Sequence, residues 1–307
     1  MVNLPFVKYK KTWLGLSGLL VIASVAAFLV WGLKLGLDFT GGTLMQLQFQ
    51  NNHPTTAQIN EKLAPLDLGE INVQPVDDKN VVIRFKSVDE ATHAKMRQIL
   101  VKEFGDPKQP DSIKELRFDS VGSVIGQELK TKAIYALLVV FIVIIIYIAA
   151  SFRKVSWPVQ SWKYGIVTIL AGLHDVIAVV GLFAVLGRFF NIEVNATFIA
   201  ALLTVLTYSV NDTIVILDRV RENLNKQELS FADVVNLSLN ETLARSINTT
   251  LTVLFTLAAV FFFGGESVHY FALAMLWGIL LGAYSSIFVA SPLLVVWYNF
   301  NRRKSVK

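Results

Sequence analysis

The apolar residues of this chain gather into six long runs: Trp13–Leu33, Ala133–Ala150, Tyr164–Leu186, Ala196–Leu217, Ile247–Phe263 and Tyr270–Leu294. Each is close to the roughly 20 residues that a helix needs to cross a hydrocarbon core. Between the first two runs the pattern changes. Thr43–Gln50 alternates, with Leu44 and Gln46 on one side and Met45, Leu47 and Phe49 on the other, as in a half-buried strand. Thr55–Leu66, opened by Pro54 and a threonine able to cap, reads as a helix. Ile71–Val76 and Val81–Phe85 read as strands around the turn Asp77-Asp78-Lys79-Asn80. Val88–Phe104 returns to helical spacing through Met96, Ile99, Leu100 and Phe104, and Ile113–Val121 is a closing strand.

The order βαββαβ predicts a ferredoxin-like α+β domain. The expected fold class is a polytopic α-helical membrane protein with six transmembrane helices and this domain between the first and second. The expected divisions are residues 1–35 (N-terminus and first helix), 36–132 (α+β domain), 133–298 (helices two to six) and 299–307 (basic tail).

Composition agrees with this reading. Hydrophobic residues make up 54% of the 307 and charged residues 17%, below the quarter or so usual in soluble domains. The net charge of +5 reports topology here and predicts no nucleic-acid partner. Lys8, Lys10, Lys11, Arg153, Lys154, Lys163, Arg219, Arg221, Lys226, Arg245, Arg302, Arg303, Lys304 and Lys307 fall on one side of the six spans. The two short loops on the other side contribute Arg188 alone. That asymmetry predicts cytoplasmic termini and an exported 36–132 segment. Ser24-Val25-Ala26 resembles a cleavage site, but the first apolar run continues through Leu33, so a retained anchor is expected.

With no cysteine in the chain, disulfides and thiolate chemistry are excluded. No phosphate-binding loop is present, and no metal or cofactor is predicted. Within 36–132, His53 and His93 stand apart and read as surface histidines, so this segment reads as a binding module.

Ionisable groups inside a bilayer are costly and are usually kept for function. Those inside the runs are His174, Asp175 and Asp212, with Arg245 at the entrance to the fifth. A carboxylate whose surroundings alternate between apolar and cationic takes up and releases a proton, and Asp212 with Arg245 is the candidate pair. Asp175 with His174 is either a second relay group or a polar cap. Thr204, Tyr208 and Asn211 share one face of the fourth span, and Arg245, Thr249, Thr252 and Thr256, with Asn248 adjacent, line the fifth. The threonines alone read as helix-packing groups. Ala274, Gly278, Gly282, Ser286 and Ala290 form a small-residue stripe on the sixth span, read as structural.

These residues also carry a family resemblance. Asp38-Phe39-Thr40-Gly41-Gly42 resembles the turn motif of the SecD/SecF family, within the RND superfamily. Leu173-His174-Asp175-Val176 and Tyr208-Ser209-Val210-Asn211-Asp212-Thr213, leading into Asp218-Arg219-Val220-Arg221-Glu222-Asn223, are similar to its intramembrane segments. Glu241-Thr242-Leu243-Ala244-Arg245-Ser246 and Ser285–Ser291 match in order. The resemblance implies a non-enzymatic role in the Sec pathway, pairing with a SecD subunit, association with the SecYEG channel and the exported preprotein, and residence in a bacterial-type cytoplasmic membrane. It also implies that Asp212 and Arg245 relay protons down the proton-motive force. Two other classes are weighed: an RND-type exporter of small molecules or lipids, for which the 36–132 segment is small, and an intramembrane aspartyl protease using Asp175 and Asp212. The protease class typically presents Tyr-Asp and Gly-x-Gly-Asp, and this chain has His174-Asp175 and Asn211-Asp212.

Overall fold

The computed structural model describes residues 4–50, 53–105, 112–151, 159–224 and 229–305. Among the basic residues used for topology, Arg153, Lys154, Lys226 and Lys307 lie outside these. The chain forms two compact units, one of them Leu35–Ala133.

That unit is the expected ferredoxin-like domain. A short helix α2 (Leu37–Thr40) leads into β1 (Gly42–Phe49), α3 (Thr56–Leu63), β2 (Asn72–Pro75), β3 (Asn80–Phe85), α4 (Glu90–Phe104) and β4 (Ile113–Val121). The sheet is antiparallel with order β2-β3-β1-β4. Period-two alternation turns Met45, Leu47 and Phe49 of β1 and Val81, Ile83 and Phe85 of β3 into one core, against Ile59 and Leu63 of α3 and Met96 and Leu100 of α4. Both helices are capped locally. Thr55 and Gln58 form a reciprocal capping box, and Asp89 accepts the Thr92 N–H at 3.0 Å. Asp77 accepts the N–H groups of Lys79 and Asn80, each at 2.8 Å, and so fixes the β2–β3 turn.

Gly41 and Gly42 have φ of 70° and 112°, a region that costs any other residue dearly. A Cβ on Gly41 would lie 2.7 Å from the Ser123 Cα, and one on Gly42 would lie 2.9 Å from the Phe85 carbonyl oxygen. The Asp38–Gly42 motif is therefore a tight turn that lets β1 start against neighbouring backbone.

His93 departs from the reading of an isolated surface histidine. Its Nε2 lies 2.9 Å from Glu115 and its Nδ1 3.2 Å from Glu90, and its ring stacks on Phe118 at 3.8 Å. Glu115 and Phe118 are three apart on a strand, a spacing that normally puts them on opposite faces. The β1–β4 register shifts between Gln46 and Leu47, leaving Leu116 as an extra residue. This bulge turns both side chains toward α4. Burial pushes the His93 pKa down, but the hydrogen bonds and charges of Glu115 and Glu90 outweigh it and raise it above 6.5.

Among the described residues, six helices are long and apolar enough to span a membrane. They are α1 (Lys10–Trp31), α5 (Ser123–Ser151), α6 (Ser161–Phe190), α7 (Ala196–Leu224), α8 (Phe231–Phe263), and a sixth built from α9 (Glu266–Ser285), a π turn (Ser286–Ala290) and α10 (Ser291–Ser305). The helices α6, α7 and α9 form the buried centre, whereas α1, α5 and α8 expose most of their apolar surface. The small-residue stripe on the sixth span packs within the chain, as Gly278 meets Val205 and Gly282 meets Ser209, both on α7.

Candidate functional site

At the centre of the bundle, α6, α7, α8 and α9 bring together two buried carboxylates. Asp175 is fully buried on α6. Its Oδ1 lies 2.8 Å from His174 Nδ1, and its Oδ2 accepts from Ser209 of α7 at 2.5 Å and from Ser285 of α9 at 2.7 Å. Both oxygens are thus occupied, with donors supplied by three helices. His174 is 5% exposed, and its Nε2 is buried with no hydrogen-bond partner among the described residues.

Asp212 lies on α7 one helical turn beyond Ser209. It is 7% exposed and accepts from Ser246 of α8 at 2.7 Å through Oδ1. Its Oδ2 is buried and has no hydrogen-bond partner among the described residues. An unsatisfied buried carboxylate oxygen is rare and calls for an explanation such as a proton, an ion or a water. Asp175 and Asp212 do not hydrogen-bond to each other; each takes its own serine donors.

The structure places Arg245 on α8 beside Ser246, with its side chain exposed. It makes no ion pair with Asp212. The other nearby arginines are engaged elsewhere: Arg219 with Glu241 and Glu222, each at 2.6 Å, and Arg221 with Asp218 at 2.7 Å. Asn211 of α7 and Asn248 and Thr249 of α8 are exposed, and Tyr208 is half-buried. With Arg245 they make a polar face on the outside of two helices long enough to span a membrane. The threonines here satisfy themselves: Thr204, Thr249, Thr252 and Thr256 each donate to a carbonyl of their own helix.

Sequence reasoning missed Ser209, Ser246 and Ser285, and took Ser286 for a packing residue. Ser286 lies 2.8 Å from Thr213, the residue after Asp212. The signal that was available is register, since Ser209 precedes Asp212 by one turn and Ser246 adjoins Arg245.

Residues 101–300 match the family described as "Protein export membrane protein SecD/SecF, C-terminal", and residues 27–52 match the "SecD/SecF GG Motif". The chain belongs to the SecD/SecF family of protein export membrane proteins. The second match holds the Asp38–Gly42 turn, and the first holds both carboxylates. The chain is 43% identical to the protein translocase subunit SecF of Thermobaculum terrenum, over 96% of this chain and 94% of that relative. It is 35% identical to the subunit of the same name from Synechocystis sp., over 99% and 97% of the two chains. Among solved structures it resembles SecDF of Thermus thermophilus, a translocon-associated membrane protein, with a TM-score of 0.79 and 31% identity. It resembles SecDF in a super-membrane-facing form with a TM-score of 0.70 and 30% identity. These two matches cover 97% and 100% of this chain but only 39% and 40% of the SecDF chains.

Proposed function

We propose that this SecD/SecF family member is the SecF-type accessory subunit of the Sec preprotein translocase, and that it uses the proton-motive force to promote late steps of export. It acts without enzymatic chemistry of its own. The observation that carries the reading is Asp212, a carboxylate buried among spanning helices, one oxygen of which has no hydrogen-bond partner among the described residues. Such a group is expensive in a membrane interior and suits a site that binds and releases a proton. Asp175 with His174 is a second candidate relay group, bonded to Ser209, which lies one turn before Asp212. In this reading Arg245 joins the relay in another state of the bundle or from the partner's side.

The partner is a SecD subunit. The polar face of Tyr208, Asn211, Arg245, Asn248 and Thr249 favours that reading, because polar side chains on spanning helices need protein or water against them. The SecDF chains, more than twice as long as this one, suggest what supplies the cover. The SecYEG channel and the exported preprotein follow as further partners. The basic residues support cytoplasmic termini, with residues 36–132 exported and the chain in a cytoplasmic-type membrane. One proton crossing about 150 mV releases roughly 3.5 kcal/mol, enough to shift a two-state equilibrium a few hundredfold.

The test is export of a preprotein into membrane vesicles, with and without a proton gradient, for the native chain and Asp212→Asn. Loss of the gradient-dependent stimulation, with assembly into the complex intact, is the expected result. Native export by Asp212→Asn under the same gradient makes Asp212 structural and overturns the mechanism.

A further inference from the structure

The two carboxylates are approached from one place on the sixth span. Ser285 and Ser286 are consecutive, so they point about 100° apart around the helix axis. Ser285 donates to Asp175 Oδ2 at 2.7 Å. Ser286 lies 2.8 Å from the Thr213 hydroxyl and donates to the Ser209 carbonyl at 3.4 Å. Ser209 itself donates to Asp175. The Ser286 hydroxyl also interacts with the Asp212 carboxylate, so one dipeptide touches the hydrogen-bond shell of Asp175 on α6 and Asp212 itself on α7.

The dipeptide sits where the helix leaves regular geometry. The π turn begins at Ser286, and Ser291 Oγ donates to the Ser286 carbonyl at 3.2 Å, five residues back. A π turn inserts one extra residue and re-aims the side chains around it, and such turns recur at functional sites. Its outer side is held by aromatic packing. Phe288 meets Trp13 at 4.4 Å, Tyr284 at 5.1 Å and Phe6 at 5.7 Å, and Tyr284 bonds Ser17 at 3.0 Å. Both serines are fully buried. Two hydroxyls at full burial, both spent on the same polar cluster, are more than helix packing requires.

We propose that Ser285 and Ser286 are positioning residues that join Asp175 and Asp212 into one hydrogen-bonded unit, so that the protonation of either carboxylate alters that of the other. The inference rests on the reading of Asp212 as a titrating group. The titratable and charged groups around the unit are His174 on α6, Tyr284 on α9 and the two carboxylates; Arg245 on α8 is exposed.

The experiment is carbodiimide labelling of the protonated carboxyl groups in the full chain, reconstituted in liposomes and read residue by residue by mass spectrometry across pH. Asp175→Asn is expected to displace the labelling midpoint of Asp212 by about half a pH unit or more, as for groups in one hydrogen-bond network. In Ser286→Ala or Ser285→Ala backgrounds most of that displacement disappears, and Ser285→Thr, which keeps a hydroxyl, retains it. Unfolding temperatures of the serine variants check that the bundle is intact, and a merely structural role leaves the displacement unchanged. If both carboxylates take label but neither midpoint responds to the other's substitution, the coupling falls and the titrating reading stands. A displacement that survives both alanine variants also overturns it. If Asp212 takes no label at any pH, the titrating reading falls with it.

Discussion

Ser246 of α8 donates a 2.7 Å hydrogen bond to Asp212 of α7, and the adjacent Arg245 is exposed on the outside of the bundle. The two neighbours therefore have separable roles. Ser246→Ala removes the 2.7 Å donor to Asp212 Oδ1, and losing a partner to a buried polar group costs about 1–3 kcal/mol. Arg245→Gln changes an exposed side chain, so its cost in the isolated chain is within about 0.5 kcal/mol. Thermal unfolding of both variants in detergent checks the contrast. A stable Arg245→Gln that still loses gradient-stimulated export assigns Arg245 to a partner contact or to another state of the relay.

Close approach of α1 to α6 depends on Gly181. A Cβ there would lie 2.5 Å from the Ser24 Cα, and backbone cannot rotate aside as a side-chain tip does. Gly181→Ala is expected to destabilise the bundle by about 1–3 kcal/mol despite the better helix propensity of alanine. Gly18→Ala, with nothing within 4 Å of its Cβ position, is neutral or stabilising by up to about 1 kcal/mol. Unfolding midpoints of the pair give the comparison.

The turn at Gly41 combines a positive φ of 70° with backbone 2.7 Å from a Cβ position. With ψ at 175°, this is backbone that essentially only glycine adopts, and it costs an L-residue about 1–3 kcal/mol. Gly41→Ala is expected to lose more than that, because the Ser123 backbone must also move. Hydrogen exchange along β1 and the first turn of α5 reads the effect directly: faster exchange confined to both segments is the expected result.

The elements of the ferredoxin-like domain were legible because each rests on a local period. Alternation along β1 and β3 and helical spacing along α4 place the same residues in the core that the structure buries. The carboxylates were legible because charge in an apolar run is conspicuous. Their serine partners were not, since a hydroxyl among apolar residues looks the same whether it bonds its own helix, as Thr256 does, or a carboxylate, as Ser246 does. The π turn at Ser286–Ala290 is marked only indirectly, by Pro292 just after it, which cannot donate back to the Phe288 carbonyl. The seat of His93 depends on a bulge at Leu116, and a bulge arises from pairing between strands distant in sequence.

That seat makes the domain respond to pH. The His93 pKa is raised above 6.5 by Glu115 and Glu90, which outweigh burial. Folding therefore favours the protonated ring, and this stabilisation is fully present below 6.5, the unfolded value. It is lost as pH rises through the higher folded value. In the full chain, the amides of α4 and β4 are expected to lose protection relative to His93→Gln as pH rises from below 6.5 into the alkaline range. The comparison at each pH removes the intrinsic pH dependence of exchange. Glu115→Gln leaves Phe118 stacking in place but removes the charge, so it should flatten most of the response. A ratio between native and His93→Gln that stays constant across the range means the ring is held by stacking on Phe118, with its charge contributing nothing.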